Sequence, residues 1–179
     1  MSRDKVTNVV FAGLGGTGVI KASDILAHAA YLEGYDVKKA EVHGMSQRGG
    51  SVRSEVRFGR RVFSPMPPAG EVEYLVLLEA SQLDNNRHLL APGGLLFAPE
   101  AMELPEGSDG LAIAQPGGKA HNVTMLGRLS VHLPLKADSW AQAIEASFPA
   151  RLLDVNRKAF QVGAAHERAR YGDRAAGVP

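Results

Sequence analysis

A glycine-rich loop near the start of the chain has the residue types and spacing of a phosphate-binding turn. Gly13, Gly15 and Gly18 fit the pattern G-x-G-x-x-G, with an apolar run before them and a helix-like stretch after them. Such glycines permit a tight turn and let a phosphate approach backbone amides, and the N-terminus of the helix favours an anion. Gly16 adds no side chain and Thr17 offers a hydroxyl donor, so the loop is a candidate phosphate site. The alternative is a tight strand-to-helix turn that binds nothing.

A second group of polar residues lies in a glycine-bounded loop, within the stretch AEVHGMSQRGGSVRSEVRFG. Polar side chains on a loop held between two strands suit binding better than core packing. Arg48 could bring a charged fork to a phosphate at the first loop, which makes it a further candidate for cofactor binding. The alternative is a solvated turn whose arginine meets a nearby carboxylate. The candidates for a loop that faces a partner or an active site are Glu41, His43, Met45, Ser46, Gln47, Gly49, Gly50 and Ser51.

One hypothesis for the glycine loop is a dinucleotide site. In dinucleotide-binding folds an acidic residue about 20 positions further on binds the ribose hydroxyls, and Glu41 is near that place. Against this hypothesis, His43, Gln47 and Arg48 crowd the region where the adenosine would lie. A chain of 179 residues also leaves no evident second domain for a hydride acceptor. A free-standing NAD(P)-binding oxidoreductase therefore remains an alternative.

Apolar periodicity predicts the elements that position both loops. Residues 6–12 and 36–42 predict strands and residues 19–32 a helix, which together make a Rossmann-like βαβ unit with a right-handed crossover. Further strands are predicted at 73–80, 93–99 and 111–114, and further helices at 83–90, 120–133, 140–148 and 152–167. The expected fold is α/β, with three α/β/α layers around a mixed, mostly parallel sheet. We expect a single domain over residues 1–179, frayed after about residue 168.

An alternating stretch predicts a hairpin and makes the sheet mixed. Residues 52–58 alternate between apolar and charged side chains, Gly59 predicts a turn, and Val62 with Phe63 predicts a short returning strand. Four arginines make this region basic, which is typical of a solvated strand face. Since no aromatic side chains are placed for stacking, phosphate groups or an acidic partner surface suit them better than nucleic acid. These arginines are Arg53, Arg57, Arg60 and Arg61.

Composition excludes several kinds of chemistry. The chain has no cysteine, so it offers no disulfide, no cysteine nucleophile and no thiolate for zinc or an iron–sulfur cluster. Its six histidines lack metal-ligand spacing, and His121 is expected at the surface rather than as a base. The net charge of +1 and the lack of a long apolar run predict no nucleic-acid partner and no membrane span. We expect a cytoplasmic protein.

Four motifs together resemble a known family. The stretches GLGGTGV, EVHGMSQRGGSVRSEVRFG, HNVTMLG and NRKAFQVG are similar to the gamma-type domain of the 2-oxoacid:ferredoxin oxidoreductases. That family includes the enzymes for pyruvate, 2-oxoisovalerate, 2-oxoglutarate and indolepyruvate. The resemblance runs from about Asn8 to Gly163. Its later matches, which we expect to be structural, are Asn122, Gly127, Asn156, Phe160 and Gly163, with Asn122 as a helix cap and Phe160 in the core.

The resemblance implies a subunit of a larger enzyme. Such enzymes decarboxylate a 2-oxoacid oxidatively to an acyl-CoA and pass electrons to ferredoxin. Thiamine diphosphate and the iron–sulfur clusters are carried by other chains, which would be the partners here, with ferredoxin an indirect partner and a homodimer contact possible. The gamma-type domain is associated with the coenzyme A step, so coenzyme A is the ligand that the resemblance suggests. The chain alone is then not catalytic, and a purely structural assembly subunit with an empty glycine loop stays open.

Overall fold

Five strands form one mixed sheet in the computed structural model, which describes residues 5–44, 49–100 and 114–171. The strands are β1 (Thr7–Leu14), β2 (Asp36–His43), β3 (Ser51–Gly59), β4 (Val72–Leu77) and β5 (Leu90–Phe97). The helices are α1 (Val19–Leu32), α2 (Leu83–Asn86), α3 (His121–Ser130), α4 (Ala137–Ser147) and α5 (Ala150–Tyr171). Turns of 3-10 helix at Ala80–Gln82 and Arg87–Leu89 extend α2 at both ends, so residues 80–89 form one helical segment.

The strand order is β2-β3-β1-β4-β5. β4 pairs in parallel with β1 and β5, whereas β3 pairs antiparallel with both β1 and β2. β1 and β2 therefore run in the same direction on either side of α1, as the βαβ pattern predicts, but β3 lies between them. The α/β class and the mixed sheet are confirmed.

The prediction of a hairpin within residues 52–63 is wrong, because Val62 and Phe63 do not form its second strand. The alternation of β3 is as predicted, yet its antiparallel partners are β2 before it and β1 on its other side. Residues 60–70, called the strap below, form no strand in the structure as described. Prolines in the strap cannot donate to a ladder, and the amide of buried Val62 donates to Oδ2 of Asp36 at 2.8 Å instead.

The strand face predicted to be solvated is partly buried. Glu55 is only 2% exposed, and its Oε1 lies 2.9 Å from Nε of Arg53. Burial raises the pKa of Glu55 above its ordinary value, and the attraction of Arg53 opposes that rise without cancelling it. Arg57 also turns inward, donating from Nε to Oδ1 of Asn8 at 2.7 Å.

Helices cover the two faces of the sheet unequally. α1 and α3 pack on one face, α4 and α5 pack against these two helices, and the largest buried side chains there include Phe11, Ile25, Phe58 and Leu126. On the other face the segment 80–89 packs over β1 and β4 through Leu83 and Leu89, against Val10, Ala12, Val72, Leu75 and Leu77. The three layers are therefore present, and the second outer layer is one short helical segment that does not extend over β2 and β3.

α3 is buried along its length and crosses α5 at backbone contact. A Cβ at Gly127 would overlap the carbonyl of Phe160, and a Cβ at Gly163 would overlap the carbonyl of Thr124. Both glycines are therefore structural, as expected, because only glycine lets the two backbones approach this closely. Phe160 packs against the core, with its ring centroid 5.4 Å from that of Trp140.

A buried ionic network joins α3, α5 and the end of β5. Nε of Arg128 lies 2.9 Å from Oε2 of Glu167, and Nε2 of His132 lies 2.9 Å from Oε1 of the same carboxylate. The side chains of Arg128 and Glu167 are 4% and 2% exposed. Arg128 also lies 2.8 Å from Glu100, which Arg170 approaches from the last turn of α5. The network fixes the C-terminal part of α5, and this helix continues to Tyr171, past the predicted start of fraying.

Within the three described ranges, no helix is both long enough and apolar enough to cross a bilayer. The strand predicted at 111–114 lies outside these ranges except for Ala114, which is fully buried.

Candidate functional site

The two glycine-rich loops meet at the carboxyl ends of β1 and β4, and the space outside these strand ends is called the crevice below. After β1 the chain enters α1 on one face of the sheet, and after β4 it enters the segment 80–89 on the other. The connections from these neighbouring strands diverge, which makes this edge a topological switch point. In open α/β sheets such points are the usual place for ligands.

The first loop is built from glycines in the left-handed region. Gly16 and Gly18 have φ of 95° and 86°, and a Cβ at Gly13 would lie 2.6 Å from Oγ1 of Thr17. The hydroxyl of Thr17 donates to the carbonyl of Leu14 at 2.7 Å, so this candidate phosphate donor closes the turn here. Gly15 and Gly16 are exposed, and no atom of the described residues would meet a Cβ at Gly16 within 4 Å. The loop therefore leaves open space above its backbone.

The first turn of α1 offers amides toward this space. The helix is preceded by Gly18, which provides no side-chain cap, and its first turn holds no acidic residue. The first amide bonded to the carbonyl of Gly18 is that of Ala22, at 2.9 Å. The amides of the three preceding helical residues come before the helical ladder begins, which is the arrangement that binds anions at helix N-termini.

The second loop approaches the first through β3. The amide of Gly15 donates to the carbonyl of Gly50 at 2.9 Å, and the amide of Gly44 donates to the carbonyl of Ser51 at 2.7 Å. A Cβ at Gly15 would lie 3.6 Å from the amide nitrogen of Gly49, so the two backbones run side by side. The loops therefore meet because β3 begins where β1 ends, and not because β1 and β2 are neighbours. Met45, Ser46, Gln47 and Arg48 lie outside the described residues.

Two residues that sequence reasoning did not place at this site hold it together. Gln82 is buried and accepts a hydrogen bond from Oγ of Ser51 at 2.6 Å, which ties the second loop to the segment after β4. Asn122 donates from Nδ2 to the carbonyl of Gly18 at 3.3 Å. Asn122 was predicted to cap its own helix, but the residue that precedes α3 is Ala120, so the prediction is wrong. The only feature of the sequence that pointed to Asn122 was its place in the motif HNVTMLG.

Glu41 and His43 lie on the edge strand β2, away from the first loop. Lys39 Nζ lies 2.7 Å from Oε1 of Glu41, and Nε2 of His43 lies 3.3 Å from Oε2. The hydrogen bond from Lys39 lowers the pKa of Glu41 below its ordinary value, with burial opposing it and His43 adding to it. Because β3 separates β2 from β1, Glu41 is two strand spacings, about 10 Å, from the strand that bears the glycine loop. That geometry does not favour the ribose contact of a dinucleotide site.

His121 is buried, contrary to the surface position predicted for it. It is 4% exposed, and its Nδ1 lies 3.3 Å from the carbonyl of Ala114. Burial lowers the pKa of His121 below its ordinary value, so the ring is neutral in the folded chain at pH 7. Over residues 5–44, 49–100 and 114–171, no three histidine, aspartate or glutamate side chains converge as a metal site.

Comparisons with known proteins agree with this architecture. A sequence profile described as pyruvate ferredoxin/flavodoxin oxidoreductase matches residues 8–166. The indolepyruvate oxidoreductase subunit IorB of Thermococcus kodakarensis is 33% identical over 192 residues, covering 89% of this chain and 95% of that one. The gamma subunit of a keto/oxoacid ferredoxin oxidoreductase from Geobacter sulfurreducens superposes with a TM-score of 0.69, at 24% identity over 92% of this chain and 98% of that one.

A longer solved chain contains the same fold. The 2-oxoglutarate:ferredoxin oxidoreductase from Magnetococcus marinus, with 2-oxoglutarate, coenzyme A and succinyl-CoA bound, superposes with a TM-score of 0.75 at 19% identity. The match covers 93% of this chain and 32% of that one, so the fold occupies about a third of the longer polypeptide.

Proposed function

The chain belongs to the pyruvate ferredoxin/flavodoxin oxidoreductase family as a gamma-type subunit of 2-oxoacid:ferredoxin oxidoreductases, and we propose that its crevice holds a phosphate group of coenzyme A. The observation that carries the proposal is that Gly15, in the loop that leads into α1, runs beside the Gly49–Gly50 backbone at the switch point between β1 and β4. Exposed amides, left-handed glycines and the positive end of a helix dipole all favour a multiply charged anion there.

The proposed division of labour leaves the redox chemistry to partner subunits. Those subunits would hold thiamine diphosphate, which supplies the decarboxylation chemistry, and the iron–sulfur clusters that lead to ferredoxin. This chain has no cysteine among its 179 residues, so it contributes no thiolate to a cluster. Its own residues would bind and orient the thiol substrate. We further propose that the chain forms one domain and works in the cytoplasm.

The substrate class of the complex is a 2-oxoacid. The relative in Thermococcus kodakarensis belongs to an indolepyruvate oxidoreductase, so we propose indolepyruvate as the first substrate to assay with the assembled complex. Residues that would recognise the side chain of the 2-oxoacid are expected mostly on the thiamine-binding partner.

A purely structural role in assembly is the second candidate. The amide of Gly15 and the hydroxyl of Thr17 are both bonded within the chain, as they would be in a turn that has no ligand. In that case the exposed glycine backbone would pack against a partner subunit instead of a phosphate.

A charged side chain introduced into the crevice distinguishes phosphate binding from a purely structural role. Gly15→Asp puts a carboxylate beside the proposed phosphate, whereas Gly15→Asn adds a side chain of nearly the same shape without the charge. Gly15 is exposed and its φ is not positive, so both variants are expected to fold. Repulsion at about 4 Å in a partly solvated site is on the order of 1–4 kcal/mol, so the KM for coenzyme A should be at least about fivefold higher with Asp than with Asn.

The measurement is steady-state kinetics of the assembled enzyme with varied coenzyme A. Equal KM values for the Asp and Asn variants would overturn the phosphate site. Arg48→Ala belongs in the same series, because the proposal predicts a raised KM in a complex that still assembles. A complex that falls apart while the KM stays unchanged would show that the second loop is an interface.

A further inference from the structure

We infer that the strap, residues 60–70, is a docking element for another subunit of the oxidoreductase, one that presents an apolar pocket with an acidic rim. The inference rests on the proposed function only in requiring a multi-subunit enzyme, and it is independent of the coenzyme A site. The strap lies at the opposite end of β3 from the crevice, because β3 begins at Ser51 beside the first loop and ends at Gly59.

The strap is held in one shape although it has no regular structure. Val62 is 3% exposed and its amide is bonded to Asp36, as described above. Nη1 of Arg57 donates to the carbonyls of Ser64 and Met66, at 2.9 and 3.2 Å. Arg57 is itself fixed by Asn8 on the neighbouring strand β1. The strap is therefore organised before any partner binds, so binding requires little ordering of this segment.

The anchored strap presents apolar side chains to solvent. Phe63 is 83% exposed, which makes it the most exposed large apolar side chain in the described ranges, and Met66 is 49% exposed. The guanidinium carbon of Arg61 lies 4.9 Å from the ring centroid of Phe63. Aromatic, methionine and arginine side chains are the types enriched at protein interfaces, and aromatic and arginine side chains carry most of the binding energy there.

Charge identifies the kind of partner. Residues 57–70 contain three arginines and no acidic residue. Arg57 donates within the chain, and Arg61, which is exposed beside Phe63, gives the strap a basic character. Asp36 on β2 accepts from Val62, lies 3.3 Å from Lys38 and also attracts Arg61 from a greater distance. A pocket for Phe63 with carboxylates at its edge is complementary to this surface.

The sheet beside the strap carries charged side chains of β3, with Arg53 partly exposed and Glu55 buried. Arg53, Glu55 and Arg57 alternate along β3 on the face that the segment 80–89 leaves open. Nε of Arg53 lies 2.9 Å from Oε1 of Glu55, whereas Oε2 of Glu55 is buried with no hydrogen-bond partner in the described part of the chain. A subunit bound to the strap could also cover this face of β3 as far as Ser51. The docking surface and the crevice would then lie on the same side of the molecule.

The test compares assembly of the full-length chain with its partner subunits. The double variant Phe63→Ser/Met66→Ser removes the apolar anchor, and Tyr31→Ser, which changes a 69%-exposed tyrosine on α1, is the matched control. We expect the double variant to raise the dissociation constant for assembly at least tenfold, with the thermal unfolding of the isolated chain unchanged. Tyr31→Ser should assemble as the wild type does. Arg61→Glu should also weaken assembly, and it should reduce the sensitivity of assembly to salt.

Wild-type assembly by both strap variants would overturn the inference. So would an isolated wild-type chain that is dimeric and becomes monomeric in the double variant, because the strap would then bind a second copy. At saturating subunit concentrations the strap variants should keep the wild-type KM for coenzyme A. A failure of the coenzyme A proposal would appear in the Gly15 pair instead, so the two results are distinguishable.

Discussion

Gly163→Ala is expected to destabilise the chain by about 3 kcal/mol, although alanine is the better helix former. On an exposed helix this change would gain about 1 kcal/mol. Here the added Cβ would overlap the carbonyl of Thr124, so α3 and α5 must move apart and give up close packing along the crossing. Overpacking a core costs typically 1–3 kcal/mol and occasionally more, and we expect about 4 kcal/mol here, because backbone atoms cannot rotate away as a side chain can. The gain in helix propensity then leaves a net loss of about 3 kcal/mol.

Thermal unfolding of the isolated chain measures this effect. A loss of 3 kcal/mol lowers the Tm by about 6–12 °C for a chain of this size. Ala165→Val is the control, because Ala165 is exposed two positions further along the same helix, and a cost below about 1 kcal/mol is expected there. An unchanged or higher Tm for Gly163→Ala would contradict the close crossing.

Glu167→Gln is expected to cost about 3 kcal/mol at pH 7, because buried Arg128 loses its buried counter-charge and keeps only the more exposed carboxylate of Glu100. Removing one partner of a buried pair costs about 3–5 kcal/mol, and glutamine keeps the shape of the side chain. The matched control is Glu145→Gln, which breaks an exposed pair with Arg157 at 3.2 Å. That change should cost less than about 1 kcal/mol. Equal effects of the two variants would show that the Glu167 network contributes little.

The same network predicts a pH dependence. Burial raises the pKa of Glu167, but hydrogen bonds from His132 and Arg128 lower it more, so the folded-state pKa lies below the ordinary 4.5. A lowered carboxylate pKa contributes stability that is present above about pH 4.5 and is lost as the pH falls through the folded-state pKa. The free energy of unfolding of the wild type should therefore fall below about pH 4.5, and Glu167→Gln should fall less steeply. If the stability of the wild type and of Glu167→Gln fell equally with decreasing pH, the pH dependence would not arise from Glu167.

The sequence was sufficient to predict the strands, turns and helices that depend on residues close together in the chain. The strand before the glycine loop, predicted over 6–12, is observed over Thr7–Leu14, and the helix over 19–32 is as predicted, because apolar spacing and glycine position are local signals. The partner of β3 was not predictable in this way. Alternation indicates that residues 52–58 form a strand, but the choice of β1 and β2 over Val62–Phe63 depends on contacts distant along the chain.

The same distinction applies to the site. The glycine loop could be found from spacing alone, whereas the roles of Gln82 and Asn122 depend on where the elements after β4 and before α3 are placed. The buried pair of Arg128 and Glu167 was not predicted, because charged side chains are usually exposed and these two residues are 39 positions apart in the chain. Charged residues in helices that pack from all sides give no local signal of burial.

The most direct test of the central claim is reconstitution of the oxidoreductase from its separate subunits. The assay follows reduction of an electron acceptor by indolepyruvate in the presence of coenzyme A, with and without this chain. We expect no turnover by this chain alone, little coenzyme A-dependent turnover by the other subunits alone, and full activity when they are combined. Turnover by the isolated chain, or full coenzyme A-dependent activity of the complex without it, would contradict the account.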